Sequence, residues 1–94
     1  MSYYRAHSEE IAERLHERLQ RAVGLPESDM ESIGVVIDAG EWRVALEVLC
    51  AQLYEYDLEI PGDERRQLEA LGAELDVAVG YLLGDPWSEP DMKP

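Results

Sequence analysis

Phenylalanine is absent from this 94-residue chain, and five tyrosines and two tryptophans supply all its aromatic bulk. Any core must therefore be assembled from Leu, Val, Ile and Ala. A single cysteine, Cys50, excludes an internal disulfide. Basic residues are scarce: 8 Lys and Arg stand against 21 Asp and Glu, for a net charge of −13. That shortage excludes the basic face that DNA, RNA or anionic lipid would require, and it favours a basic partner. No apolar run approaches the roughly 20 residues of a membrane span. No apolar segment follows Met1 to Arg5 as a secretory signal would require. The expectation is a cytoplasmic chain that engages neither nucleic acid nor membrane.

Catalytic and metal-binding patterns are equally thin. There are two histidines, His7 and His16. His16 with Glu13 or Glu17 could be drawn as a metal corner, but no second histidine or cysteine completes a ligand set. Cys50 has no base at hand to activate it and reads as a buried structural thiol. No glycine-rich phosphate loop and no nucleophile-elbow serine is present. Carboxylate pairs abound, and their abundance removes their meaning. An enzyme is not expected, nor is a cofactor or a metal.

What remains is helical periodicity. Apolar residues make up 46% of the chain, too many for a disordered composition, and the length suits one domain. Residues 1–7 read as an arm, with Ser8 as the N-cap of a first helix. Ile11, Leu15, Leu19 and Val23 then recur every four residues, and Gly24 and Pro26 end the run. Glu10–Arg14 and Glu17–Arg21 have the spacing of helix-stabilising pairs. Ser28 and Glu31 have the pattern of a capping box for a second helix, whose buried face is Ile33, Val36 and Ile37. Val35–Val36–Ile37 would also suit a strand, but the cap and the short flanks favour a helix. Gly34 would let a neighbouring helix approach closely.

A third helix spans about Glu41 to Tyr54. Trp42, Ala45, Leu46, Leu49 and Leu53 form one apolar stripe, and Val44, Val48 and Ala51 a second, which places this helix at the centre of a bundle. Trp42 lies on the first stripe, which favours core packing over partner contact. A fourth helix from about Asp63 carries Leu68, Leu71 and Leu75, and a short fifth spans 77–83. The predicted fold is all-α: a compact bundle of four to five short helices with a central third helix, in one domain over 1–84. Residues 85–94 would form a flexible, proline-containing tail.

The distinctive segment is where the third helix ends. Tyr54, Glu55, Tyr56, Asp57 and Glu59 put aromatic anchors among carboxylates, a composition suited to a protein interface. Gly40-Glu41-Trp42, Ala45-Leu46, Leu49, Gln52-Leu53-Tyr54-Glu55-Tyr56-Asp57 and Ile60 together resemble the Maf-type immunity proteins of bacterial polymorphic toxin systems. The likeness covers roughly residues 25–75. It implies a small non-enzymatic protein that neutralises one cognate toxin domain in a tight stoichiometric complex. Toxins opposed by such families are often nucleases, whose basic cleft an acidic protein could fill. The partner-binding residues expected are Tyr54, Glu55, Tyr56, Asp57 and Glu59. Two other readings remain open. One is a helical adaptor or homo-oligomer assembled through Val44, Val48 and Ala51. The other is a small-ligand domain, which lacks a convergent polar set pointing inward.

Overall fold

Spacings of three and four apolar residues, broken by Pro and Gly, give five helices and no strand among the described residues. The computed structural model describes residues 2–85, and side chains over 9–85. The helices are α1 (Ser2–Gln20), α2 (Glu27–Asp38), α3 (Trp42–Glu55), α4 (Gly62–Leu75) and α5 (Val79–Leu82). The protein is an all-α bundle, and α3 packs against each of the other four helices. Its inner face, Ala45, Leu46, Leu49, Cys50 and Leu53, is buried to 5% exposure or less. Ile11, Leu15 and Leu19 from α1, Ile33 and Ile37 from α2, and Leu68 and Leu71 from α4 close around it. The expected tail from residue 86 onward lies outside the described residues.

Several local expectations are corrected. The arm is helix instead: α1 begins at Ser2, so Ser8 lies inside it and caps nothing. No breaker separates Ser2 from Ser8, so the helix continues through. At its other end α1 stops at Gln20, and Val23 is 85% exposed rather than a fourth core position. The chain has already left the helical path there, so the four-residue spacing no longer marks a face. Pro26, not Ser28, precedes the first turn of α2, and no side chain caps it. Proline's fixed φ leads directly into a helix, so the expected Ser28–Glu31 box is bypassed. Val36 is half-buried. The second stripe of α3 faces outward: Val44, Val48 and Ala51 are exposed, so α3 is central without being enclosed.

Two helices end alike. At α3, Asp57 is left-handed (φ 54°), and the Leu58 N–H donates to the Leu53 carbonyl at 3.1 Å. At α4, Asp76 is left-handed (φ 61°), and the Val77 N–H donates to the Gly72 carbonyl at 2.9 Å. Both are six-to-one closures of the Schellman type, with an apolar residue folded back on the core. The close approach expected at Gly34 occurs at Gly72 instead. A Cβ at Gly72 would lie 2.6 Å from both the Val77 carbonyl oxygen and Val79 Cγ2, whereas one at Gly34 would meet only His16 Cε1 at 3.9 Å.

Polar contacts tie α1 to its neighbours. Arg14 reaches Glu74 at 2.7 Å and Arg18 reaches Glu64 at 2.8 Å, so the partner numbers fall as α1 advances and α1 and α4 run antiparallel. His16 Nε2 lies 2.9 Å from Asp38 Oδ1 on α2, which is how the structure uses the histidine drawn above as a metal corner. Glu17 and Arg21 stand 3.7 Å apart, as their spacing predicts.

Candidate interaction surface at the end of the central helix

The Schellman turn at Asp57 determines where each expected contact residue goes. Tyr54 and Glu55 complete the last turn of α3. Tyr56 is the first residue beyond the helix, and the left-handed Asp57 then reverses the chain so that Leu58 folds inward. All five expected contact residues, Tyr54, Glu55, Tyr56, Asp57 and Glu59, are exposed. They are not one patch, however, because the turn sends them in three directions.

Tyr54, 61% exposed, lies against the end of α5. A Cβ at Gly84 would fall 2.6 Å from Tyr54 Cε1, so a side chain there would displace the ring, and φ of +96° suits glycine on backbone grounds as well. Tyr54 and Glu55 share an open cleft of about 440 Å³ with Ala51, Tyr81, Leu82, Gly84 and Asp85. Tyr56 turns the other way: its hydroxyl donates to Asp29 Oδ2 on α2 at 2.8 Å. That hydrogen bond, with lesser contributions from desolvation and from the charges of Asp29 and Glu55, raises the phenol above its ordinary pKa. Glu59 points to a third place, a cavity of about 170 Å³ between the end of α1 and the α3–α4 connection.

That cavity is lined by a polar pair that the sequence did not reveal. Arg18 is only 7% exposed and donates to Glu64 Oε1, with Glu17 at 3.3 Å on its other side. Glu64 Oε2 is buried and has no hydrogen-bonding partner among the described residues. Burial raises the Glu64 pKa, outweighing the opposing pull of Arg18 and Arg21. Arg18 was legible in principle, since it stands three residues after Leu15 and four before Ala22, on the buried face. Its charge disguised it. Tyr81 and Asp85 offered no such signal, because their meeting with Tyr54 is made by the packing of α5 on α3.

Trp42 is half-buried against the core, as its stripe predicts, and its indole N–H is buried without an acceptor among the described residues. It begins α3 and Tyr54 nearly ends it, so the two are about 18 Å apart at 1.5 Å per residue. The two most distinctive segments of the sequence therefore occupy opposite ends of one helix. Cys50 is fully buried, and desolvation pushes its thiol up to about 12, so it is protonated at neutral pH. Among the described residues no group of three or more His, Cys, Asp or Glu could hold a metal ion, and no helix is long and apolar enough to cross a membrane. Comparison of the chain with protein-family models, curated proteins and solved structures finds no match.

Proposed function

We propose that this chain is a non-enzymatic immunity protein that neutralises a cognate toxin domain by binding it. One observation carries the reading: the end of α3 and the turn after it leave Tyr54, Glu55, Tyr56, Asp57 and Glu59 all exposed, so two tyrosines and three carboxylates face solvent around one helix end, though in different directions. Tyrosine offers a large contact area at low entropic cost, and its hydroxyl remains able to hydrogen-bond. The surrounding carboxylates belong to a chain of net charge −13, which would steer a basic partner to this end. A nuclease toxin fits that description, since its substrate cleft must be basic. The resemblance of residues 25–75 to Maf-type immunity proteins agrees with this. The test is co-expression with the C-terminal toxin domain encoded by the neighbouring reading frame, scored by growth and by recovery of a one-to-one complex. Toxicity without rescue and without a complex would discard that pairing.

A second reading, a self-associating helical module, is favoured by the exposed Val44 and Val48 on the outer face of α3. Light scattering across a concentration series tests it. A stable dimer that dissociates on Val48→Glu supports it, and a monomer throughout removes it.

A further inference from the structure

The turn after α1 and the α3–α4 connection pack against each other. A Cβ at Gly24 would lie 2.8 Å from Leu58 Cδ2, so the two connections are in close contact. Beside that contact is the cavity of about 170 Å³ that Glu59 borders. Its apolar walls are Ala22, Leu53, Leu58, Ile60 and Leu68, drawn from four different segments of the chain. An apolar cavity of about 150 Å³ admits a benzene molecule, so this one has room for a single ring or branched side chain. Its surroundings are apolar as well. Val23 is 85% exposed and Pro61 is exposed, and both border this cavity and a shallower hollow beside it.

The charges divide into two groups. Arg18 is held by Glu64 at 2.8 Å and by Glu17 at 3.3 Å, and Arg21 lies 3.7 Å from Glu17. Both arginines at the cavity are therefore paired within the chain and create no demand for an anion. Glu59 and Asp63 are exposed, the first bordering the cavity and the second the shallower hollow.

We infer that this cavity is a socket for one apolar side chain of the protein partner, of leucine to phenylalanine size, with a basic residue next to it in the partner. Seating such a side chain removes apolar surface from water on both molecules, and anchors of this kind concentrate the energy of an interface. A cation beside the anchor meets Glu59 or Asp63, which fixes its orientation more than it adds affinity. Val23 and Pro61 extend the apolar contact around the anchor. The inference rests on the reading of the chain as a partner-binding protein. It names the group received, whereas Tyr54 and Tyr56 are groups presented.

The experiment is an NMR titration of the isotope-labelled full chain with N-acetyl-phenylalanine amide and N-acetyl-leucine amide. N-acetyl-alanine amide and toluene serve as comparisons. Amide shifts should move at Ala22, Val23, Leu58 and Ile60, and phenyl protons should show nuclear Overhauser effects to the methyls of Leu53, Leu58 and Leu68. Both larger amides should bind at least about tenfold more tightly than the alanine amide, as burial of a whole side chain requires. Capped Leu-Arg should bind more tightly than capped Leu-Glu, by a margin that salt removes. Val23→Asp, at an exposed position, should weaken the phenylalanine amide several-fold while leaving the thermal midpoint unchanged.

Shifts of equal size at the exposed Val44 and Val48, or equal binding of the alanine amide, would overturn the assignment. Toluene bound with both larger amides excluded would make this a small-molecule cavity and overturn it too. A Val23→Asp variant that binds toxin with the parent's affinity would remove the socket from the interface and leave the immunity reading intact. Failure of the parent to rescue or to form a complex, with the amides still seated and Leu-Arg preferred, would remove the immunity reading alone.

Discussion

Replacing Gly34 and Gly72 by alanine, one at a time, should change stability in opposite directions. Both glycines lie inside helices, α2 and α4, and neither has a positive φ. On helix propensity alone each substitution would stabilise by about 0.8–1 kcal/mol. At Gly34 the new methyl finds His16 Cε1 at 3.9 Å, an ordinary contact, so most of that gain should survive. At Gly72 it would lie 2.6 Å from a backbone oxygen and 2.6 Å from a buried valine methyl, nearly an ångström inside normal separation. Overpacking of this kind costs roughly 1–3 kcal/mol. Moving the 77–79 segment aside would also break the Val77–Gly72 hydrogen bond that closes α4, at a cost of about 1 kcal/mol. The net expectation for Gly72→Ala is destabilisation by about 1–3 kcal/mol, a loss on the order of 5–15 °C in a domain of this size. Gly34→Ala should raise the midpoint by a few degrees. Urea melts and thermal melts, each followed by circular dichroism and by tryptophan fluorescence, would measure both. A Gly72→Ala protein as stable as the parent would refute the packing of the α4–α5 turn described above. A destabilised Gly34→Ala would refute the open space between α1 and α2.

Other perturbations follow from the same geometry. The Glu64 pKa is raised in the folded state, so native Glu64 holds its proton at higher pH than unfolded Glu64 does, and stability linked to it falls as pH rises through the native value. Relative to Glu64→Gln, the parent should therefore gain stability as pH is lowered from 7 towards 5. The opposite slope in paired urea titrations would mean that attraction to Arg18 outweighs burial. Tyr54→Ala should weaken toxin binding by about 2 kcal/mol, roughly 30-fold, if Tyr54 anchors the interface; unchanged affinity by calorimetry with an unchanged circular-dichroism spectrum would remove it from the site. Because Cys50 is fully buried and its thiol is pushed up to about 12, labelling by a thiol reagent at pH 8 should follow global unfolding across a urea series. Rapid labelling without denaturant would contradict its burial. Asp76→Gly should stabilise by up to about 1 kcal/mol by relieving a left-handed residue that carries a Cβ.

The sequence alone determined the helical class, a count of four to five helices and the inner face of α3. These follow from local regularities: leucines and isoleucines at three- and four-residue spacing, and Pro26, Gly40 and Pro61 between the runs. It also marked Cys50 as core, favoured packing against the core for Trp42, and marked the end of α3 as a tyrosine-rich acidic segment. Where a local rule had a competitor, it misled. Ser28 and Glu31 have the letters of a capping box, but Pro26 starts the helix first. Val23 continues a spacing whose helix has already ended. Only the tertiary structure decided which neighbours meet. Contiguous letters made Tyr54 to Glu59 look like one patch, but a single left-handed residue, Asp57, distributes them among a cleft, a hydrogen bond to α2 and a cavity. Tyr81 and Asp85 join Tyr54 because α5 folds back over Gly72, some 27 to 31 residues later in the chain. Arg18 is buried because α4 brings Glu64 to it across a sequence separation of 46. Helix formation depends on residues within one or two turns and is written in the local order of the chain. The charge, shape and chemistry of a surface depend on which distant segments share it, and that is settled only when the helices pack.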